Sequence, residues 1–221
     1  MYNKSRSYRF LFIFFIPLIM LQGEVMFSGN IDSIYNMKTS PPFLNSNQEW
    51  VDSVMETLSL EEKIAQSFMI VAYSDQTHEN FEYNRKLIEK HKIGGIIFLK
   101  GTPYRQAMLT NQYQELSEVP LLIGLDAEWG LAMRLDSTVK YPEQMMLGAV
   151  QNNRLIYQMG RQIALQLKRT GVHINFAPVA DVNNNPDNPV INSRSFGEDK
   201  ENVVSHAMAY MLGLQDNHIL S

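Results

Sequence analysis

Four short apolar runs recur along this chain, each followed by a stretch patterned as a helix. Phe68–Ala72, Ile96–Leu99, Leu121–Leu125 and Val172–Ala177 read as strands. Between them, apolar residues fall at helical spacing. Examples are Phe81, Leu87 and Ile88, then Leu155, Ile156, Met159, Ile163, Ala164 and Leu167, then Val203, Val204, Ala207, Met208, Met211 and Leu212. Strands that alternate with helices point to an α/β fold with a parallel sheet, because parallel neighbours need a covering crossover. An open four-stranded sheet and the first half, about four βα units, of an eight-stranded barrel both fit. His218–Ile219–Leu220 stands where a fifth strand would open.

Punctuation supports the same division. Ser59 with Glu62 is a capping-box pattern for a helix from Leu60, after a preceding helical pattern of Trp50, Val51, Val54, Met55 and Leu58. Thr102–Pro103 reads as an N-cap with proline at the first helical position, opening a helix to about Ser117. Gly171 sits where a left-handed helix end is expected.

The N-terminus differs from the rest. Lys4, Arg6 and Arg9 precede an apolar run from Phe10 to Leu21. A basic flank and an apolar run of about a dozen residues fit a secretory signal better than a spanning helix, which needs roughly 20. Residues 1–23 are therefore expected to be a signal peptide or an uncleaved N-terminal anchor, and the protein exported. Residues 24–47, with Pro41 and Pro42, read as a linker, and residues 48–221 as the folded domain. The formal charge of −4 is scattered, so no basic stripe suggests nucleic acid. With no cysteine, thiolate catalysis and Cys-ligated zinc are excluded. The histidines at 78, 91, 173, 206 and 218 show no metal spacing, and no Gly-rich phosphate loop exists, so no cofactor or metal is expected.

Two stretches carry the chemistry. In LLIGLDAEWGLAMR the apolar strand stops at Asp126, and Glu128, Trp129 and Arg134 follow. The first polar residue at a strand's C-terminal end is where α/β barrels and open α/β sheets place their sites. The competing reading of Asp126 is a cap for the next segment. The second stretch, Pro178–Asp199, holds Asp181, Arg194 and Asp199 in a long loop rich in Asn and Pro, and such loops are usually functional. Arg194 could fork onto substrate oxygens, or it could staple its own loop through Asp181 or Glu198. Asp126 and Glu128 are a poor catalytic pair, since both project from one segment while an inverting pair must flank the sugar.

Together these stretches resemble glycoside hydrolase family 3. LDAEWGLAMR is similar to the family's D-x-E-G-G-x-x-x-R, and FAPVADVNNNPDNPVINSRSFGED to its F-A-P-V-x-D-x-N followed by R-S-F-G. The wording is nearest to the bacterial β-N-acetylhexosaminidases. The resemblance implies a (β/α)8 barrel of which this chain is the first half. It implies retaining removal of terminal β-linked N-acetylglucosamine from an oligosaccharide or a peptidoglycan fragment. Asp126, Arg134 and Arg194 match residues that bind the sugar in the −1 subsite. Glu128 and Asp181 are expected to support them, Glu128 by orienting Asp126 or Arg134. The family's Lys-His pair, acid/base loop and nucleophile have no counterpart here and are expected after Ser221. A family 3 β-glucosidase and a non-catalytic sugar-binding half-barrel are the alternatives. One departure is visible: Trp129 stands where the family has the first Gly of its G-G pair. A packed Trp is the expected outcome there, and an aromatic wall for a sugar the alternative.

Overall fold

The computed structural model describes residues 47–75 and 78–221; the leader and all but the last residue of the linker lie outside them. Its centre is a four-stranded parallel sheet in the order β1-β2-β3-β4, with β1 at Met69–Tyr73, β2 at Gly95–Lys100, β3 at Leu122–Leu125 and β4 at Ile174–Asn175. Helices α1 (Gln48–Thr57) and α2 (Leu60–Ala65) precede the sheet. Crossover helices α3 (His78–His91) and α4 (Pro103–Leu116) follow β1 and β2. The β3–β4 crossover carries a short helix α5 (Gln144–Leu147) and the long α6 (Asn153–Arg169), and α7 (Lys200–Gln215) follows β4.

Local sequence explains the boundaries. The Ser59 hydroxyl accepts the Glu62 N–H while the Glu62 carboxylate accepts the Ser59 N–H, closing the expected capping box. Thr102 caps α4, with Pro103 in its first turn. Gly171 follows α6 at φ +73°, the left-handed conformation a side chain resists. Asp199 caps α7 by accepting the Asn202 N–H at 2.7 Å.

The register is set by alternation. Ala72, Phe98 and Leu125 lie in line across three strands, as do Ile96 and Ile123, and all are buried on one face of the sheet. That face packs against the buried stripe of α6, Ile156, Met159, Ile163, Ala164 and Leu167, and against Tyr113 of α4 and Tyr210 and Leu214 of α7 within one core. Residues of the opposite alternation, Val71, Leu122 and Phe176, are exposed. Gly124 on that face leaves space that Phe176, Ile174 and Met69 crowd: a Cβ there would lie 2.8 Å from the Phe176 ring.

The fourth strand is shorter than its apolar run suggests. Pairing with β3 runs from the His173 N–H to the Phe176 N–H, and Pro178 then has no N–H to continue the ladder. The far side of β4 is occupied: Leu220 forms a parallel bridge with Ile174, the Asn175 N–H donating to the Leu220 carbonyl at 2.8 Å. The expected opening of a fifth strand therefore falls at Leu220.

Helices α6 and α7 meet through glycine. A Cβ on Gly213 would lie 2.3 Å from the Tyr157 carbonyl and 2.9 Å from the Arg161 nitrogen, and one on Gly160 would lie 2.6 Å from the Tyr210 carbonyl. All three are backbone atoms, so relief requires the helices to separate. Gly213→Ala should therefore destabilise the domain by about 1–3 kcal/mol despite its better helix propensity. A melting temperature equal to or above the parent's would show that the crossing yields freely.

Candidate functional site

The loops at the C-terminal ends of β3 and β4 bring two Arg–carboxylate pairs together. Asp126 is the residue directly after β3. The chain beyond it turns at Gly130, φ +85°, and passes through a 3-10 turn at Leu131–Met133. Leu131 and Leu135 are buried and anchor that turn. The Asp136 N–H donates to the Gly101 carbonyl at 2.8 Å, tying the turn to the end of β2. Arg134 is thereby folded back onto Asp126, Nη2 to Oδ2 at 2.5 Å. The Nε of Arg134 is buried without a hydrogen-bond partner, a donor whose desolvation is uncompensated by the protein.

The second pair crosses between loops. Arg194 ends a 3-10 turn at Asn192–Arg194. Its Nε lies 3.1 and 3.0 Å from the two oxygens of Glu128, and its Nη2 donates to Oε1 at 2.7 Å. This forked arrangement fixes the guanidinium plane. The Glu128 carboxylate, and beyond it Asp181 and Asp126, hold Arg194 firmly protonated, above its ordinary range. Glu128 was expected to orient Asp126 or Arg134; it holds Arg194 instead. The carboxylate expected to staple Arg194, that of Asp181 or Glu198, is likewise Glu128. Asp181 contributes its backbone carbonyl, which accepts from the Ser195 hydroxyl at 2.6 Å, and its charge, which acts on Arg194 without an ion pair.

A buried clamp behind the pairs holds the Asp126–Glu128 segment. The Ala127 N–H donates to Asn175 Oδ1 at 2.9 Å, and the Tyr210 hydroxyl donates to the Ala127 carbonyl at 2.9 Å. Burial keeps the Tyr210 phenol protonated well above its usual range, so it stays a donor. Neither Asn175 nor Tyr210 stands out in the sequence, although Asn175, a polar residue inside an apolar strand, was a usable signal. The Arg194 loop is held by its own chemistry: Phe196 is buried, and the Asn202 side chain donates to the Gly148 and Phe196 carbonyls. His206 lies 2.8 and 2.9 Å from the Asn202 and Val150 carbonyls and serves the same scaffold. Among the described residues, no group of three His, Asp or Glu side chains could hold a metal ion.

A β-hexosaminidase A from Pseudoalteromonas piscicida is 32% identical over 149 residues, covering 62% of this chain and 25% of that protein. A β-N-acetylglucosaminidase/β-glucosidase from Cellulomonas fimi is 25% identical over 166 residues, 75% of this chain and 29% of its own length. The solved structure of a glycoside hydrolase family 3 β-N-acetylglucosaminidase from Paenibacillus sp. str. FPU-7 superposes with a TM-score of 0.65 at 34% identity, over 73% of this chain and 32% of that one. This chain thus spans about a quarter to a third of each of these three proteins. The glycosyl hydrolase family 3 N terminal domain matches residues 59–221, from the capping box to the last residue, and takes in both Arg–carboxylate pairs. The chain belongs to glycoside hydrolase family 3.

Proposed function

We propose that this chain supplies the sugar-binding half of an exported glycosidase that removes terminal β-linked N-acetylglucosamine with retention. In this reading Asp126, Arg134 and Arg194 hold the sugar at the −1 position, and the acid/base and nucleophile lie beyond Ser221. The four βα units are the first half of a (β/α)8 barrel. Supporting the barrel is a sheet whose face away from the described helices is exposed and apolar and whose β4 edge is already engaged by Leu220. Export rests on the basic flank and apolar run of residues 4–21.

The observation that carries the sugar site is the pairing itself. Two guanidinium groups and two carboxylates sit at the C-terminal end of a parallel strand, with Asp126 and Arg134 partly open to solvent and Glu128 buried behind Arg194. Such groups suit a neutral, hydroxyl-rich ligand: carboxylate oxygens accept from sugar hydroxyls and guanidinium N–H groups donate to them. Each is already engaged in an ion pair, and in this reading their work is binding and ring orientation, which raises rate when it strengthens toward the transition state. Substrate in this reading is an N-acetylglucosamine-containing oligosaccharide or peptidoglycan fragment, the N-acetylglucosamine supported by the name of the Paenibacillus β-N-acetylglucosaminidase. A β-glucosidase is the second reading, favoured by the Cellulomonas relative whose name carries both activities.

The test is hydrolysis of aryl N-acetylglucosaminide and aryl glucoside by the full-length protein. The first should be the better substrate. Asp126→Ala should lower kcat/KM by about tenfold or more, as expected for loss of a hydrogen bond to a charged group worth about 1.5–3 kcal/mol, while the fold persists. Near-normal kinetics in that variant would remove Asp126 from the site.

A further inference from the structure

Trp129 is the large aromatic side chain of the site loop and is only partly buried. It belongs neither to the buried core nor to the partly buried hydrophobic side chains packed against that core. The backbone does not need glycine at this position: the left-handed residue of the turn is Gly130, and Trp129 keeps an ordinary φ. Its carbonyl accepts the Tyr141 N–H at 3.0 Å, so the 139–141 segment lies alongside it. The next residue back, Lys140, places Nζ 5.9 Å from the centre of the indole, over one face.

A circuit of contacts ties the loop that carries this indole to the loop that carries Arg194. Lys140 pairs with Glu143 at 3.5 Å. The Ser193 hydroxyl hydrogen-bonds the Glu143 carboxylate and holds it below the usual carboxylate range. Ser193 precedes Arg194, which Glu128 grips, and Glu128 precedes Trp129. The ring is thus fastened at its backbone by Tyr141 and capped on one face by Lys140, while the residue stays partly open to solvent.

From this geometry we infer that Trp129 is a wall of the carbohydrate site, presenting its uncapped face to the C–H surface of a pyranose ring, with Lys140 fixing its orientation. The inference rests on the sugar-site reading of Asp126 and Arg194. The indole face is electron-rich and the axial C–H groups of a β-gluco-configured ring form a flat, electropositive surface, so the two are complementary. Pre-fixing the ring also removes an ordering cost from binding.

The experiment uses the full-length protein labelled with 5-fluorotryptophan. The Trp129 fluorine resonance is assigned by its loss in Trp129→Phe, and N-acetylglucosamine is titrated by fluorine NMR and by calorimetry. The Trp129 resonance should move saturably with the calorimetric isotherm and stop responding in Asp126→Ala. Trp129→Ala should weaken binding by about threefold to tenfold, with Trp129→Phe retaining most of the affinity. If sugar binds in an Asp126-dependent way and the resonance stays still, the wall is refuted and the sugar site stands. Binding that neither depends on Asp126 nor moves the resonance, or no binding at all, refutes both. If Trp129→Ala does not fold, the resonance of the parent protein still decides.

Discussion

Arg194→Met should destabilise the domain by about 3–5 kcal/mol, while Arg134→Met costs about 1 kcal/mol or less. The contrast lies in what each arginine leaves behind. Removing Arg134 exposes Asp126, whose side chain is already 24% accessible and rehydrates. Removing Arg194 takes away the ion-pair partner of Glu128, whose side chain is 3% accessible and cannot rehydrate in the same way. Arg194→Lys should recover little, because an ammonium cannot reproduce the fork that spans both Glu128 oxygens. The double variant Arg194→Met/Glu128→Gln should be more stable than Arg194→Met alone, since it removes the unpaired carboxylate. Activity should fall with Arg194→Met and should not return in the double variant, which separates the two roles of the pair. Urea midpoints of the parent and the four variants supply the comparison. Equal, small losses for Arg134→Met and Arg194→Met would show that the Glu128 site admits water readily and that the pair does not staple the loops.

That pair also marks the boundary of what sequence could reveal. Caps and turns were legible at Ser59–Glu62, Thr102–Pro103 and Gly171, because each is decided by residues within a few positions. The strand–helix alternation was legible because burial on one sheet face imposes period 2 and burial of a helix stripe imposes period 3.6. Asp126 was legible as the polar residue that stops an apolar strand. The partner of Arg194 was not: Glu128 lies 66 residues earlier, while Asp181 and Glu198 lie close in sequence and invite the local pairing. The choice is made by register, since β4 beside β3 brings one loop across the other. The same holds for Tyr210 on α7, which packs in the core and also hydrogen-bonds the backbone behind Asp126. The short α5 and the two 3-10 turns were missed because fewer than two helical turns leave no periodicity to read.

Residues 48–221 expressed alone should self-associate and show no glycosidase activity. Val71, Leu122 and Phe176 are 38%, 38% and 44% accessible on the sheet face that none of the described helices covers. Side chains of that kind normally face a core, and each Å² left wet forgoes about 25 cal/mol of burial. Against a net stability of about 5–15 kcal/mol, an uncovered sheet face is a large deficit. Among the described residues no strand lies beyond β1, whose Val71 carbonyl is capped by the Asn84 side chain, and another chain's strand can add to such an edge. The other edge is better protected than its sequence implied, because Leu220 already bonds to His173 and Asn175. Association should therefore run through the β1 edge and the exposed face. Lysine at Val71, on β1 and on that face, should raise solubility without restoring activity. Light scattering after size exclusion decides the matter. A monodisperse monomer with a sharp cooperative melt would mean that the sheet is stable open, which defeats the half-barrel reading. Hydrolysis of an aryl N-acetylglucosaminide by the purified fragment would place the acid/base and nucleophile within residues 48–221 and refute the proposal that catalysis needs residues beyond Ser221.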